Sequence, residues 1–215
     1  MKRIKEEFLD KLETVITLKR KDVLEIGCGA GNRSVQIAGR VAHLTAIDPS
    51  VELINEARIV NNLPNITYQA GCVERLKFKP KTFDIVIFTL SLHHVDPLSI
   101  PIAIRNAIKV TKKRGYIVFF EPAQDGSFFE SEILFNACDG DERKEKAYAY
   151  YSLLNYKGYK EVAEIADETV FQFESYNDYV VNMKPNKNKK QVKEFLERHK
   201  YRLVAARRIN VFKVV

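Results

Sequence analysis

The chain has 215 residues, 46% of them apolar and 29% charged, with a formal net charge of +7, which describes an ordinary globular chain with room for one sizeable core. No stretch approaches the 18 or so uninterrupted apolar residues of a membrane span, and the basic residues of Met1–Glu7 are not followed by the apolar region of a secretory leader. Cys28, Cys72 and Cys138 are odd in number and lack metal-ligand spacing, which argues against a disulfide framework or a zinc site and fits a reducing cytoplasm.

From the N-terminus, Ile4, Phe8, Leu9, Leu12, Val15 and Ile16 follow helical spacing and predict a helix lying on the domain. Asp22–Gly27 reads as a short buried strand, Ser34–Arg40 as the helix after a glycine loop, and His43–Ile47 as a second strand ending at Asp48-Pro49. A helix carrying Leu53, Ile54, Ala57 and Val60 stops near Pro64. Asn65–Ala70 is a third strand, and the nearly all-apolar Phe83–Leu90 is a fourth, buried on both faces. A helix with Ile104, Ala107, Ile108 and Val110 is expected to end in Lys112-Lys-Arg-Gly115, before a fifth strand over Tyr116–Phe120. Strands and helices alternating in this way make a doubly wound α/β pattern.

The rhythm breaks over residues 123–168. This segment holds eight of the chain's 23 Phe and Tyr, and eleven acidic against five basic residues. It reads as a mainly helical cap over the carboxyl edge of the sheet, its rings mostly packing it down. Beyond it, Val170–Phe173 alternates like a strand, Lys189–Lys200 looks helical, and Arg202–Val215 makes a final strand or bent hairpin. From Lys184 onward there are eleven lysines and arginines against Glu194 and Glu197. A basic region of this kind marks either a nucleic-acid footprint or a solvated helix face.

The residues that carry chemistry cluster around Gly27, Gly29 and Gly31. They lie between a strand and a helix, where backbone must turn sharply and approach a ligand closely. Asp48, 21 residues past Gly27, ends the neighbouring strand, where a carboxylate accepts both hydroxyls of a ribose. A dinucleotide loop needs a further glycine where Asn32 stands. Glu25 beside the loop repels a pyrophosphate but suits an ammonium or sulfonium. The loop therefore favours S-adenosylmethionine over NAD.

Val23-Leu-Glu-Ile-Gly-Cys-Gly-Ala-Gly-Asn32 resembles the first motif of the class I S-adenosylmethionine-dependent methyltransferases. The likeness continues through Ala46–Ser50, Phe83–Ile87, Ser91–Val95 and Gly115–Phe119, over roughly residues 20–122. It is greatest to the broad group of small-molecule enzymes that includes the quinone-biosynthesis methyltransferases. The resemblance implies a Rossmann-like, mostly parallel seven-stranded sheet with an antiparallel last strand and a helical cap insertion. One domain would span 1–215, with a cofactor-binding core at 20–122, the cap at 123–168, and C-terminal strands and helix at 169–215.

By the same resemblance Glu25 and the loop Gly27, Cys28, Gly29 and Gly31 face the methionine portion of S-adenosylmethionine, and Asp48 with Pro49 holds the ribose. Cys72 and Val73 frame the adenine, and Thr89 completes the site. Family members often carry an acid where this chain has Cys72, so a backbone contact at Val73 or another residue would have to serve. His93 and His94 follow the fourth strand, where the acceptor belongs; either is a candidate base or orienting residue, with Glu121 a weaker one. No general base is required unless the acceptor must lose a proton, since orientation alone supplies about 7–11 kcal/mol in favourable cases.

The chain has no Asn/Asp-Pro-Pro-Tyr/Phe step after the fourth strand, no cysteine in a Pro-Cys step, and no carboxylate cluster resembling a catechol-type metal site. The expectation is a cytoplasmic, metal-free transfer of a methyl group to a small molecule, planar, apolar or cationic, under an aromatic, acidic cap. An RNA or protein methyltransferase using the basic C-terminal region, a non-catalytic S-adenosylmethionine-binding protein, and a nicotinamide dehydrogenase are the alternatives.

Overall fold

The computed structural model describes residues 1–186 and 189–215; Lys187, one of the basic C-terminal residues, lies outside the described residues. In chain order the elements are β1 (Lys2–Lys5), α1 (Phe8–Glu13), β2 (Asp22–Ile26), α2 (Ser34–Ala38), β3 (His43–Asp48), α3 (Val51–Val60), β4 (Ile66–Ala70) and β5 (Phe83–Thr89). They continue with α4 (Ile100–Val110), β6 (Thr111–Pro122), α5 (Ser127–Phe135), α6 (Arg143–Asn155), β7 (Tyr159–Gln172), α7 (Tyr176–Met183), α8 (Lys189–Arg198) and β8 (Arg202–Val214).

One sheet runs β1-β7-β8-β6-β5-β2-β3-β4. Strands β6, β5, β2, β3 and β4 are mutually parallel. The last strand, β8, slots antiparallel between β6 and β7, as the expected seven-stranded sheet requires. The eighth strand is β1, antiparallel on β7 at the edge, where helix was expected. Ile4 is 45% exposed and does not belong to the helical stripe; only Phe8, Leu9 and Leu12 bury from α1. Lys2-Arg-Ile-Lys5 is instead a short, charged edge strand of the kind that discourages further pairing.

Two more boundaries differ from expectation. Helix α4 stops at Val110, and Thr111–Arg114 already belong to β6. Lys112 is drawn away from the helix end by Asp84, at 2.9 Å, and Asp22, at 3.7 Å, at the start of β5 and β2. The helical part of the cap also ends early, because Tyr159–Glu168 are the first ten residues of the long strand β7. Lys160, Glu161, Val162, Glu164 and Ala166 are exposed along this stretch, which therefore lacks the apolar pattern of a buried strand. Arg202–Val214 is one continuous strand rather than a hairpin.

Alternation along the central strands separates two cores. Ile85, Ile87, Val118 and Phe120 pack under α1, α2 and α3, while Val86, Phe88, Ile117 and Phe119 pack under α4 and α6. A third cluster joins Phe128 and Phe135 of α5 to Tyr179, Phe195, Leu203 and Ala205. It anchors α5 over the end of β8. Among the described residues no helix is long and apolar enough to cross a membrane.

Candidate functional site

Strand β2 delivers the chain into the glycine loop at the carboxyl edge of the sheet, where ligands bind in open α/β folds. Gly27, Gly29 and Gly31 all take positive φ, of 77°, 53° and 81°. A Cβ on Gly27 would stand 2.2 Å from the Ser91 Cβ, and one on Gly31 would stand 2.5 Å from the Tyr68 hydroxyl, whereas one on Gly29 would enter open space. Two glycines are therefore required by packing and the third keeps a cavity clear.

Asp48 ends β3 and fastens this loop. One carboxylate oxygen accepts the Gly29 N–H at 2.8 Å and the other the Ser50 N–H at 2.9 Å. Glu25 lies beneath the loop, fully buried, accepting from Ser34 Oγ at 2.5 Å and Thr89 Oγ1 at 3.0 Å. Burial pushes its carboxyl above the ordinary range, against the pull of those two hydroxyls.

A cavity of about 420 Å³ opens over the loop. Gly27, Gly29, Asp48, Pro49, Cys72 and Val73 all line it. Glu25, Cys28, Gly31 and Thr89 do not reach it. They form the layer behind, and the Cys28 thiol, pushed up by burial, is inert there. Sequence reasoning missed Glu74, which lines the cavity two positions after Cys72 and returns a carboxylate to that region. Its signal was in the sequence, displaced from the position where family members carry their acid.

A second cavity, of about 220 Å³, lies between α5, α6 and the strand ends. Leu90 and His94 line both cavities. Leu90 turns the chain after β5 with φ +54° and leads into a single turn of 3₁₀ helix over Leu92–His94. Glu121, at the end of β6, holds this turn by accepting the N–H groups of Ser91 and Leu92 at 2.9 and 2.8 Å and by pairing with His93 Nδ1. Burial alone would raise Glu121, yet His93 and these donors outweigh it and keep the carboxyl low. His93 is buried. His94 packs its ring 4.1 Å from that of His93 and is half exposed, with Nδ1 3.5 Å from Glu142. The hydrogen bond to Glu142 raises His94 above the ordinary imidazole value.

The far wall is unexpectedly charged. Lys146 of α6 lies over the Phe129 ring at 4.3 Å, 3.3 Å from Glu142 and 3.6 Å from Glu132. Burial lifts Glu132 to about 7. His93, His94 and Glu142 bring ligand-type atoms within 4.8 Å of one another, as do Glu132, Cys138 and Asp139. The Lys146 ammonium already touches a carboxylate of each trio, supplying the positive charge that a metal would otherwise bring.

Residues 23–115 match the family model described as "Methyltransferase domain". A ubiquinone biosynthesis O-methyltransferase of Coxiella burnetii is 36% identical over 114 residues, 52% of this chain and 47% of that protein. An uncharacterized methyltransferase of Synechocystis sp. is 31% identical over 104 residues, 48% of each chain. The chain thus spans about half the length of the curated relatives it matches. Among solved structures, an S-adenosylmethionine-dependent methyltransferase of Methanosarcina mazei superposes with a TM-score of 0.63 at 15% identity, covering 95% of this chain and 97% of that one. The N-methyltransferase NodS of Bradyrhizobium japonicum does so with 0.59 at 17%, covering 96% and 84%. At such identities these two likenesses establish the fold. Residues 23–115 thus carry the sequence pattern of the methyltransferase model, and the fold around them is the one seen in these two solved structures.

Proposed function

We propose that the chain is an S-adenosylmethionine-dependent methyltransferase acting on a small-molecule acceptor, and that residues 1–215 work as one domain, with 20–122 holding the cofactor. The observation that carries this reading is the pairing of the two cavities across Leu90 and His94. A group seated over the glycine loop and a molecule seated under the cap meet there, and holding them in line is the main requirement of a methyl transfer.

The residues fit the cofactor. Gly29 leaves the room that a Cβ would take. Asp48 has its backbone hydrogen bonds in place and lone pairs to spare for a ribose diol. Cys72, Val73 and Glu74 offer backbone and a carboxylate to the base. Glu25, with Thr89 and Ser34 fixing it, supplies negative potential from behind the loop. When bound, S-adenosylmethionine supplies an electrophilic methyl group on a cationic sulfur.

His94 would receive a proton from the acceptor, a reading supported by its lining both cavities. Glu142 orients His94 from the cap and raises its proton affinity, and Glu121 with His93 fixes the turn that carries it. His94 is preferred to His93 because it lines both cavities, whereas His93 lines only the cap cavity.

Calorimetric titration with S-adenosylmethionine, S-adenosylhomocysteine and NAD tests the cofactor assignment. Wild type should bind the first two, and Asp48→Ala should weaken both by about tenfold or more, as expected for lost hydrogen bonds to a charged acceptor. Binding of NAD alone would overturn it.

A further inference from the structure

Resting on that reading, we propose that the acceptor is a small acid, and that Arg207 of β8 binds its anionic group at the end of the cap cavity.

Arg207 is half-buried and lines the cavity with Phe128, Phe129 and Glu132. It shares a strand face with Ala205 and Ile209, pointing inward as strand alternation dictates. A guanidinium carries five N–H donors. Among the described residues its one hydrogen bond runs from Nε to Thr169 Oγ1, at 3.3 Å, and it makes no ion pair.

The carboxylates that act on it, Glu6, Glu121 and Glu132, are engaged elsewhere, and Asp125 and Asp139 line the same cavity without an ion pair to it. Glu6 accepts from Arg33 at 2.7 and 3.0 Å, from Arg3 at 2.8 Å and from Thr169 at 2.8 Å. Glu121 is engaged by His93 and two backbone N–H groups. Glu132 and Glu142 share Lys146, and Glu142 also holds His94. Among the described residues Arg207 forms an ion pair with none of these carboxylates. Burial, together with the repulsion of Arg33, depresses its guanidinium to about 10, against the opposing pull of the surrounding carboxylates. A half-buried guanidinium facing a cavity with most of its donors unused is a site for a planar anion, which it can grip with two parallel hydrogen bonds.

The size and lining complete the description of the ligand class. A dry cavity of about 150 Å³ takes benzene, so about 220 Å³ holds a ring-sized body with a few substituents. Phe128 and Phe129 offer it apolar faces. An acid gripped at Arg207 would extend from the end of β8 toward His94, where the methyl-accepting atom belongs. Carboxylate and phosphate monoester share this chemistry; the fork of the guanidinium and the small volume favour the carboxylate.

The test uses the protein saturated with S-adenosylhomocysteine and a panel of ring-sized probes: benzoate, 3,4-dihydroxybenzoate and phenyl phosphate against methyl benzoate and benzamide. Calorimetry should show at least one carboxylate binding about 10- to 100-fold more tightly than its neutral counterparts, the range for charge-assisted hydrogen bonds. Arg207→Met should abolish that preference while leaving the weak binding of the neutral probes unchanged, and Arg207→Lys should restore part of it. Preference for phenyl phosphate over every carboxylate would overturn the carboxylate assignment and keep the anion site. Equal binding of acids and neutral probes, or a preference that survives in Arg207→Met, would overturn the proposal. If Arg207→Met does not fold, the wild-type preference and the lysine variant still decide. Failure of S-adenosylhomocysteine itself to bind would instead strike the reading of the first cavity.

Discussion

Two carboxylates beside the glycine loop show how differently a residue can serve one site. Asp48 stands at the cavity rim and is partly satisfied by backbone N–H groups, while Glu25 is sealed beneath it with a raised pKa. A buried acid whose folded-state pKa exceeds its unfolded value loses stability as pH rises from the unfolded value through the folded one. Glu25→Gln, which cannot ionise, should therefore melt at or above the wild-type temperature at neutral pH while S-adenosylmethionine affinity falls by about tenfold, the divergence expected where charge is kept for function. Thermal melting and calorimetry on the same preparation check both halves. His94 makes a complementary case, because Glu142 raises its pKa and the base is the neutral imidazole. Turnover should rise with pH through an inflection above about 6.5, the ordinary imidazole value. Glu142→Gln should move that inflection down, and an unmoved pH profile would count against the pairing. Spacing within the first 122 residues made the glycines, Asp48 and both histidines legible. Lys146, Glu142 and Arg207 were not, because they reach the site from the cap and the last strand, where no fixed spacing links them to the loop.

At the scale of elements, the N-terminal segment is more than an edge. Glu6 follows β1 and receives Arg33, the residue leading from the glycine loop into α2, together with Arg3 and Thr169. Phe8 of α1 stacks on Phe120 of β6 with ring centroids 4.2 Å apart. Replacing Glu6 with alanine leaves two half-buried guanidinium groups unpaired and should cost about 3–5 kcal/mol, the usual cost of breaking a buried pair from one side, measured by denaturant unfolding. Those cations hold the Glu6 carboxyl low despite its burial. Its contribution is thus present above the unfolded carboxylate pKa and is lost as pH falls through the folded value, so wild type and variant should converge in acid. This segment was misread from sequence because Ile4 happens to fall on the helical period of Phe8 and Leu12. The cap was over-extended for the opposite reason, since Tyr159–Glu168 hides strand character under irregularly spaced acidic side chains.

The whole molecule decides what the basic C-terminal region does. Arg207 lines the cap cavity, Arg208 on the opposite face of β8 lies 3.6 Å over the Tyr150 ring, and Lys213 lies 5.7 Å over Tyr116. Lys189 and Lys193 face Tyr176. These five cations are engaged on separate faces of the protein, whereas steep salt dependence requires many phosphates neutralised together. RNA should accordingly bind weakly or not at all at 50 mM salt; tight binding that falls by about a thousandfold or more toward 200 mM, as for a protein contacting many phosphates, would revive the nucleic-acid alternative. The parallel core and its antiparallel last strand followed from the alternation of elements and the family resemblance, whereas the strand order and the eighth strand did not. The position of β8 between β6 and β7 also bears on how the chain is made. Strand β6 leaves the ribosome well before its partner, and Tyr116 must await Lys213. At about 5–20 residues per second that interval lasts some 5–20 s, during which an apolar strand has an open side. A nascent chain halted before β8 should be captured by chaperones and released once the final strand emerges.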